Sequence, residues 1–331
     1  MRRDLDTAYD AAVALLAGSG PAVLLAHVNP DGDALGSALG LALALRSCGR
    51  QVSVSFGTSE GWGVPGSLGF LPGQELLVQP AEVLDGPDPA LLVTLDTGSR
   101  DRLGRLVPLL DRASDVLVVD HHASNAGFGT ALLLDPAAAA TAVLVEELVR
   151  RLGAPLDTAT ATCLYAGLVT DTGQFQFAAT TPAVHALAGR LLAAGVRPDQ
   201  VGQALFGSQS FAAVRLEATA VARAALEPGL VWTWVEAAER AAVGVPLADV
   251  EGVIDALRVT TEAEVAVVLK GLDGPPDGAW AVSTRSRGAV DVGAACVALG
   301  GGGHRFAAGV TLHGSRDEVL ARVRAALPPL G

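Results

Sequence analysis

A series of short runs that are apolar almost throughout constrains the fold of this chain more than any other feature. Ala22–Ala26 (AVLLA), Leu91–Leu95 (LLVTL) and Asp115–Val119 (DVLVV) are the clearest, and Gln51–Ser55 and Ala131–Leu134 extend the series. The clearest runs do not alternate between polar and apolar, so a strand built from them meets water on neither face. Helical patterns intervene at Ala34–Cys48 and follow at Thr141–Leu152 and Thr158–Val169. Strands of this kind separated by helices predict an α/β fold: a mostly parallel sheet with helices on both faces.

The pattern changes after about residue 181. Residues 182–226 carry helical periodicity without strand signals, with breaks at Gly195–Pro198 and Phe206–Ser208. From residue 227 a second, smaller α/β set begins. It has strands at Val231–Val235, Ala263–Leu269, Ala279–Thr284 and Ala308–Leu312, with helices near Leu247–Leu257 and Val292–Leu299 and one at the end. The expected organisation is a domain over 1–181, a helical connector over 182–226 and a second domain over 227–331. A chain of 331 residues, half of them hydrophobic, can bury cores for both.

Composition excludes some classes of function. A formal charge of −12 is the wrong sign for a protein that grips long duplex nucleic acid, although a short nucleotide needs only a few local contacts. The longest near-apolar stretch, Ala34–Leu45, is too short to span a bilayer. The run Ala11–Ala17 follows Asp4, Asp6 and Asp10, the wrong flank for a secretory signal, so a cytoplasmic protein without membrane contact is expected. Cys48, Cys163 and Cys296 are far apart, with no CxxC spacing, and read as reduced core thiols.

The acidic residues and histidines fall where chemistry would need them. His27, Asp31 and Asp33 follow the first strand in HVNPDGDALGS, Asp96 follows LLVTL, and Asp120, His121 and His122 follow DVLVV. In an open parallel sheet the carboxyl ends of the strands share one edge, where ligands bind. Asp171, in GLVTDTGQF at the end of a helix, adds a further carboxylate. Each Asp taken alone also reads as a turn former or helix cap. Converging carboxylates, however, repel one another in a partly dry cleft unless cations neutralise them. Mixed carboxylate and imidazole donors suit Mn²⁺, with Zn²⁺ and Fe²⁺ as alternatives, and the candidates exceed what one ion needs. Two divalent ions about 3.5–4 Å apart can activate a water and stabilise both oxygens of a phosphoryl displacement.

These segments resemble the four motifs of DHH phosphoesterases: HxxPDxDALGS at 27–37, LDTGSRDRLG around Asp96, DHH at 120–122 and TDTG at 170–173. GGGHRFAAG at 301–309, preceded by VSTRS at 282–286, resembles the DHHA1 signature. Their order and spacing resemble small bacterial DHH/DHHA1 proteins that degrade very short RNA and dephosphorylate 3′-phosphoadenosine 5′-phosphate. The resemblance implies that His27, Asp31 and Asp96 hold one Mn²⁺, and that Asp33, Asp96, His121 and Asp171 hold the other. It also implies that Asp96 bridges, that Asp120 supports the ligand His121, and that His122 faces the scissile phosphate. Linear and cyclic dinucleotides would suit the same site, and a homodimer is compatible with the resemblance.

In the second domain Gly301, Gly302 and Gly303 can let a backbone approach a phosphate, with His304 as a side-chain donor and Arg285 as a bidentate contact. The bland reading of the glycine run is a flexible loop. Arg287 and Arg305 read as solvent-facing charges, and Trp232, Trp234 and Trp280 as core. His185 and His313 match no motif. Two enzymatic alternatives share the first domain. A single-strand DNA exonuclease of RecJ type would need a further nucleic-acid-binding domain, and an inorganic pyrophosphatase would lack GGGH. A nucleotide sensor without turnover would be expected to have lost a ligand, yet every candidate ligand is present.

Overall fold

The computed structural model describes residues 2–58, 62–125, 127–274 and 278–330. They divide into two compact units, Met1–Ser208 and Gln209–Gly331. In the first, strands β1 (Ala22–Ala26), β2 (Val52–Phe56), β3 (Leu91–Leu95), β4 (Asp115–Asp120) and β5 (Ala131–Leu134) form one sheet in the order β2-β1-β3-β4-β5. Every neighbouring pair is parallel. The chain winds from β1 to one side and returns to place β3 on the other, so a crevice opens at the carboxyl ends of these two strands.

The strands are apolar on both faces because both are covered. Leu24, Ala26, Val93, Leu95, Leu117 and Val119 point into a large core with α1 (Arg2–Leu16), α2 (Gly32–Ser47), α5 (Thr141–Arg151) and α6 (Thr158–Asp171). Leu25, Leu92, Val116 and Val118 point the other way. There they meet α3 (Pro80–Asp85), α4 (Leu109–Arg112) and a 3₁₀ segment, Arg100–Leu106. The helices expected over 182–226 are α7 (Pro182–Ala193), α8 (Pro198–Phe206) and α9 (Phe211–Ala222), and the unit boundary falls between α8 and α9.

Helices α2 and α6 approach one another closely. Gly32, Gly36 and Gly40 recur every fourth residue along one face of α2, and a Cβ at Gly36 would lie 2.4 Å from the Cys163 carbonyl oxygen. On α6, a Cβ at Gly167 would lie 2.6 Å from Asp33 Oδ1. The absence of side chains here lets α6 lie directly against the carboxylate-bearing start of α2.

The second unit adds β6 (Ala225–Glu227), β7 (Gly229–Val235), α10 (Ala237–Val243), α11 (Gly252–Leu257), β8 (Ala263–Gly271), β9 (Ala279–Ser286), α12 (Val292–Ala298), β10 (Gly302–His304), β11 (Ala307–His313) and α13 (Arg316–Ala326). The strands form a mixed sheet in the order β10-β11-β9-β8-β7-β6, parallel only at β7–β8. Trp280 is buried, whereas Trp232 and Trp234 are half-buried and lie side by side, with the guanidinium groups of Arg223 and Arg316 over the ring of Trp234. The cysteines are free thiols, but only Cys163 and Cys296 are core residues. Cys48 caps the end of α2 and is exposed, because the helix leaves the core in its last turn. Among the described residues no helix is long and apolar enough to cross a membrane.

Candidate metal centre

The carboxyl edge of the parallel sheet gathers the acidic and imidazole groups of the first unit. His27 follows β1 directly, Asp96 follows β3, and Asp120 closes β4 with His121 and His122 behind it. Asp96 adopts a left-handed backbone, φ 54°, while its N–H donates to Val119 O at 3.0 Å. A non-glycine residue in that region carries strain, which such sites commonly store.

The imidazole rings are oriented by their second nitrogen. Nδ1 of His27 lies 2.8 Å from the Val28 carbonyl, and Nδ1 of His121 lies 3.2 Å from the Ala138 carbonyl. A carbonyl only accepts, so both Nδ1 atoms carry protons and both Nε2 atoms turn to the carboxylates. His27 Nε2 is 3.6 Å from Asp31 Oδ2 and 3.7 Å from Asp96 Oδ2. His121 Nε2 is 3.1 Å from Asp171 Oδ2, 3.4 Å from Asp96 Oδ1 and 4.0 Å from Asp33 Oδ2. The two oxygens of Asp96 thus face different groups.

Asp31 has two tasks. Its Oδ1 caps α2 by accepting from Asp33 N and Ala34 N, while Oδ2 faces His27. The cap occupies one oxygen and leaves the other facing the His27 ring.

Asp120 is fully buried and held on both oxygens. Oδ1 accepts from His121 N at 2.8 Å and lies 2.7 Å from His122 Nδ1, and Oδ2 accepts from Asn125 Nδ2 at 2.7 Å. The ring held by Asp120 is therefore that of His122. It is not that of His121, whose Nδ1 is already taken by Ala138. Asn125 also donates to Thr97 O and accepts from Gly127 N.

Charge crowding at this edge is severe. Burial pushes the Asp33 carboxyl well above its ordinary range, Asp96 and Asp171 add repulsion, and His121 opposes this only in part. Burial likewise drives Asp171 up to about 6, in spite of its hydrogen bond with His121. Burial also acts to raise Asp96, but His121, His122 and His27 outweigh it and hold the group below its ordinary range. For His121, burial favours the neutral ring, yet Asp171 and Asp96 carry its pKa up to about 12. Crowding of this kind is what divalent cations neutralise in a metal centre.

The donors fit such cations. His27, Asp31 and Asp96 form one group, and Asp33, Asp96 and His121 another, the offered atoms of each lying within 4.8 Å of one another. Oxygen and imidazole donors suit Mn²⁺ and its neighbours. Asp96 belongs to both groups.

Sequence reading missed three supporting residues. Ser37 Oγ donates to Asp33 Oδ1 at 3.1 Å, one helical turn along α2. Asn125 holds Asp120, and Thr141 touches both Asp33 and Asp96. Ser37 ends the HVNPDGDALGS segment without having been given a role, and for Thr141 the signal was negative: α5 starts after Ala140, which offers no side-chain cap.

The second unit carries the remaining predicted residues. Arg285 on β9 donates to Glu251 Oε1 at 3.2 Å, and Glu251 also pairs with Lys270 and accepts from Ser283 at 3.3 Å. Burial would raise the Glu251 carboxyl, but Lys270 and Arg285 outweigh it and hold it low. Ala307 is paired with His304 on one side and Arg285 on the other, so both residues share one face of the sheet. The glycine run is an edge strand in part rather than a loop throughout. A Cβ at Gly301 would lie 2.3 Å from Gly309 O, and one at Gly303 would lie 2.5 Å from Ala308 Cα. Both glycines are therefore required by the hairpin itself. A Cβ at Gly302 would meet nothing within 4 Å.

Comparison with known proteins identifies the family. Residues 22–168 match the DHH family, N-terminal domain, and residues 238–327 match the DHHA1 domain. The bifunctional oligoribonuclease and PAP phosphatase NrnA of Thermus thermophilus is 36% identical over 96% of this chain and 93% of its own length. The protein of the same name from Bacillus subtilis is 32% identical over 51% of this chain and 52% of its own. The fold is that of an exopolyphosphatase-related protein from Bacteroides fragilis, with a TM-score of 0.86, 22% identity, and coverage of 97% of this chain and 95% of that one. With both domains matched in order and identity sustained over nearly the whole chain, the protein belongs to the DHH/DHHA1 family of metal-dependent phosphoesterases, hydrolases that act on phosphoester bonds.

Proposed function

We propose that this protein hydrolyses 5′-phosphorylated oligoribonucleotides only a few residues long to nucleoside monophosphates, and removes phosphate from 3′-phosphoadenosine 5′-phosphate in the same site. The observation that carries this reading is the pairing of a two-group carboxylate and imidazole centre with full-length similarity to the Thermus NrnA protein. Linear and cyclic dinucleotides, which offer the same phosphodiester, are further substrates under this reading.

His27, Asp31 and Asp96 would hold one ion, and Asp33, Asp96, His121 and Asp171 the other. A pair of divalent ions, Mn²⁺ by the donor set, supplies charge stabilisation at phosphorus and acidification of water. His122, fixed through Nδ1 by Asp120, would present Nε2 to a phosphoryl oxygen without reorganising as charge develops.

In the second unit, Arg285, Gly301, Gly302, Gly303 and His304 would hold a substrate phosphate. Two cations, Lys270 and Arg285, share the single carboxylate of Glu251, which leaves a local positive excess in a chain of net charge −12. On this view 1–181 carries the chemistry and 227–331 the substrate grip.

Gly302 separates substrate approach from folding, because its missing Cβ leaves open space. Gly302→Ala is expected to leave the melting temperature unchanged and to raise KM by about tenfold, the effect of about 1.4 kcal/mol of lost binding. Gly303→Ala should instead lower the melting temperature. An unchanged KM for Gly302→Ala would remove that glycine from the substrate site.

The activity itself is tested by a product time course on 5′-labelled RNAs of increasing length, with Mn²⁺ and with Mg²⁺. 3′-Phosphoadenosine 5′-phosphate, long single-stranded DNA and pyrophosphate are run alongside. Monophosphate release that is fastest on the shortest RNAs is expected. Turnover confined to long DNA or to pyrophosphate would overturn the substrate assignment, and inactivity on all of them would overturn the reading as a whole.

A further inference from the structure

We infer that Thr141 is a positioning residue for the metal centre, setting the carboxylate planes of Asp96 and Asp33 from the first turn of α5. The inference rests on the proposal that these two carboxylates hold metal. Thr141 is fully buried. Its hydroxyl donates to Asp96 Oδ1 at 3.0 Å, while its backbone N–H donates to Asp33 Oδ2 at 2.6 Å. The next residue continues the grip, with Ala142 N donating to Asp33 Oδ1 at 2.9 Å.

The bland reading is that Thr141 merely begins a helix. The start of α5 is unusual in a way that reading does not explain. The residue before it, Ala140, has no side chain able to cap. The first N–H groups of a helix lack intrahelical partners, and a local Ser, Thr, Asp or Asn normally satisfies one of them. Here the partner is Asp33, from a different helix and 108 positions earlier. The exchange benefits both sides: α5 gains a cap, and Asp33 has both oxygens held against the positive end of the helix.

Asp96 needs the same service more acutely. Rotation of an Asp carboxylate about its last bond is broad and roughly twofold, so nothing intrinsic fixes its plane. A carboxylate whose Oδ1 faces His121 and whose Oδ2 faces His27 must nevertheless hold one plane to serve both groups. The Thr141 hydroxyl is placed to lock it.

The test is calorimetric titration of Mn²⁺ into metal-stripped wild type, Thr141→Val, Thr141→Ser and Asp96→Asn, with melting temperatures taken in chelator. Valine keeps the shape and both backbone N–H donors and removes only the hydroxyl. Loss of a group that orients ligands typically weakens metal binding 10- to 100-fold. Thr141→Val is expected to show such a loss, with a chelator melting temperature near that of wild type and turnover recovered largely by excess Mn²⁺. Thr141→Ser should bind within a few-fold of wild type. Weak binding by Asp96→Asn together with wild-type binding by Thr141→Val would overturn the inference alone. Equal binding by wild type and Asp96→Asn would overturn the metal assignment and the inference with it. A collapsed melting temperature for Thr141→Val that serine does not restore would mean that Thr141 only supports the fold, which also overturns it.

Discussion

Exchanging Asp96 for asparagine is expected to lower kcat/KM by at least about 10³-fold while leaving the protein folded. The size follows from the proposed position between two ions, whose removal forfeits several kcal/mol of charge stabilisation, and each 1.36 kcal/mol is a factor of ten. The fold should survive because asparagine matches aspartate in shape and also tolerates the left-handed backbone that this position adopts, φ 54°. The amide can still accept from the Thr141 hydroxyl through its oxygen. It cannot offer an anionic oxygen to both the His27 and the His121 groups, which lie 3.7 and 3.4 Å away on opposite oxygens. Metal content should therefore fall together with turnover, and the circular dichroism spectrum should not change. Turnover within tenfold of wild type, with full metal content, would exclude Asp96 as the shared ligand.

The position of this centre was legible in the sequence because a parallel sheet leaves little freedom. Once AVLLA, LLVTL and DVLVV are read as strands buried on both faces, the residues that follow them must meet at one edge, and His27, Asp96 and Asp120 do. The strand bounds were legible for the same reason, since an unbroken apolar run ends where the chain leaves the core. The order of the strands was not, because the apolar runs of β1, β3 and β4 carry no mark of which neighbour each will pair with. Tertiary partners were equally hidden. Asp33 caps a helix that starts at Thr141, and no local pattern joins residues so far apart. Asp120 was expected to support His121, its immediate neighbour in sequence. Asp120 does hold the His121 backbone N–H, but the Ala138 carbonyl takes the ring nitrogen of His121, and the ring that the carboxylate grips is that of His122. The glycines at 301–303 were read as one feature, yet they separate into two that the hairpin requires and one that it does not.

His122→Ala should lower kcat by about 10²- to 10³-fold, the usual cost of removing one donor aimed at developing charge, while metal content stays at the wild-type level. The informative comparison is with Asp120→Asn and the double variant. Asp120 accepts from three donors: His121 N, His122 Nδ1 and the Asn125 amide. An asparagine side chain has one oxygen and one NH₂, so the NH₂ must face either the Asn125 amide or the pair His121 N and His122 Nδ1, which share one oxygen of Asp120. Asn125 cannot turn its amide to relieve this without losing the bonds to Thr97 O and Gly127 N. In either orientation the ring of His122 loses the charge behind it, and in the second it also loses its acceptor. Asp120→Asn should therefore reduce kcat on its own, and a buried mismatch of this kind costs about 1–3 kcal/mol of stability. If Asp120 serves the reaction only through His122, then its replacement removes nothing more once the ring is gone. The double variant should turn over at the rate of His122→Ala alone, a departure from additivity expected of residues that act as one unit. Multiplicative losses would place Asp120 in a second role, and a fall in metal content on Asp120→Asn would identify that role as ligation beside Asp96.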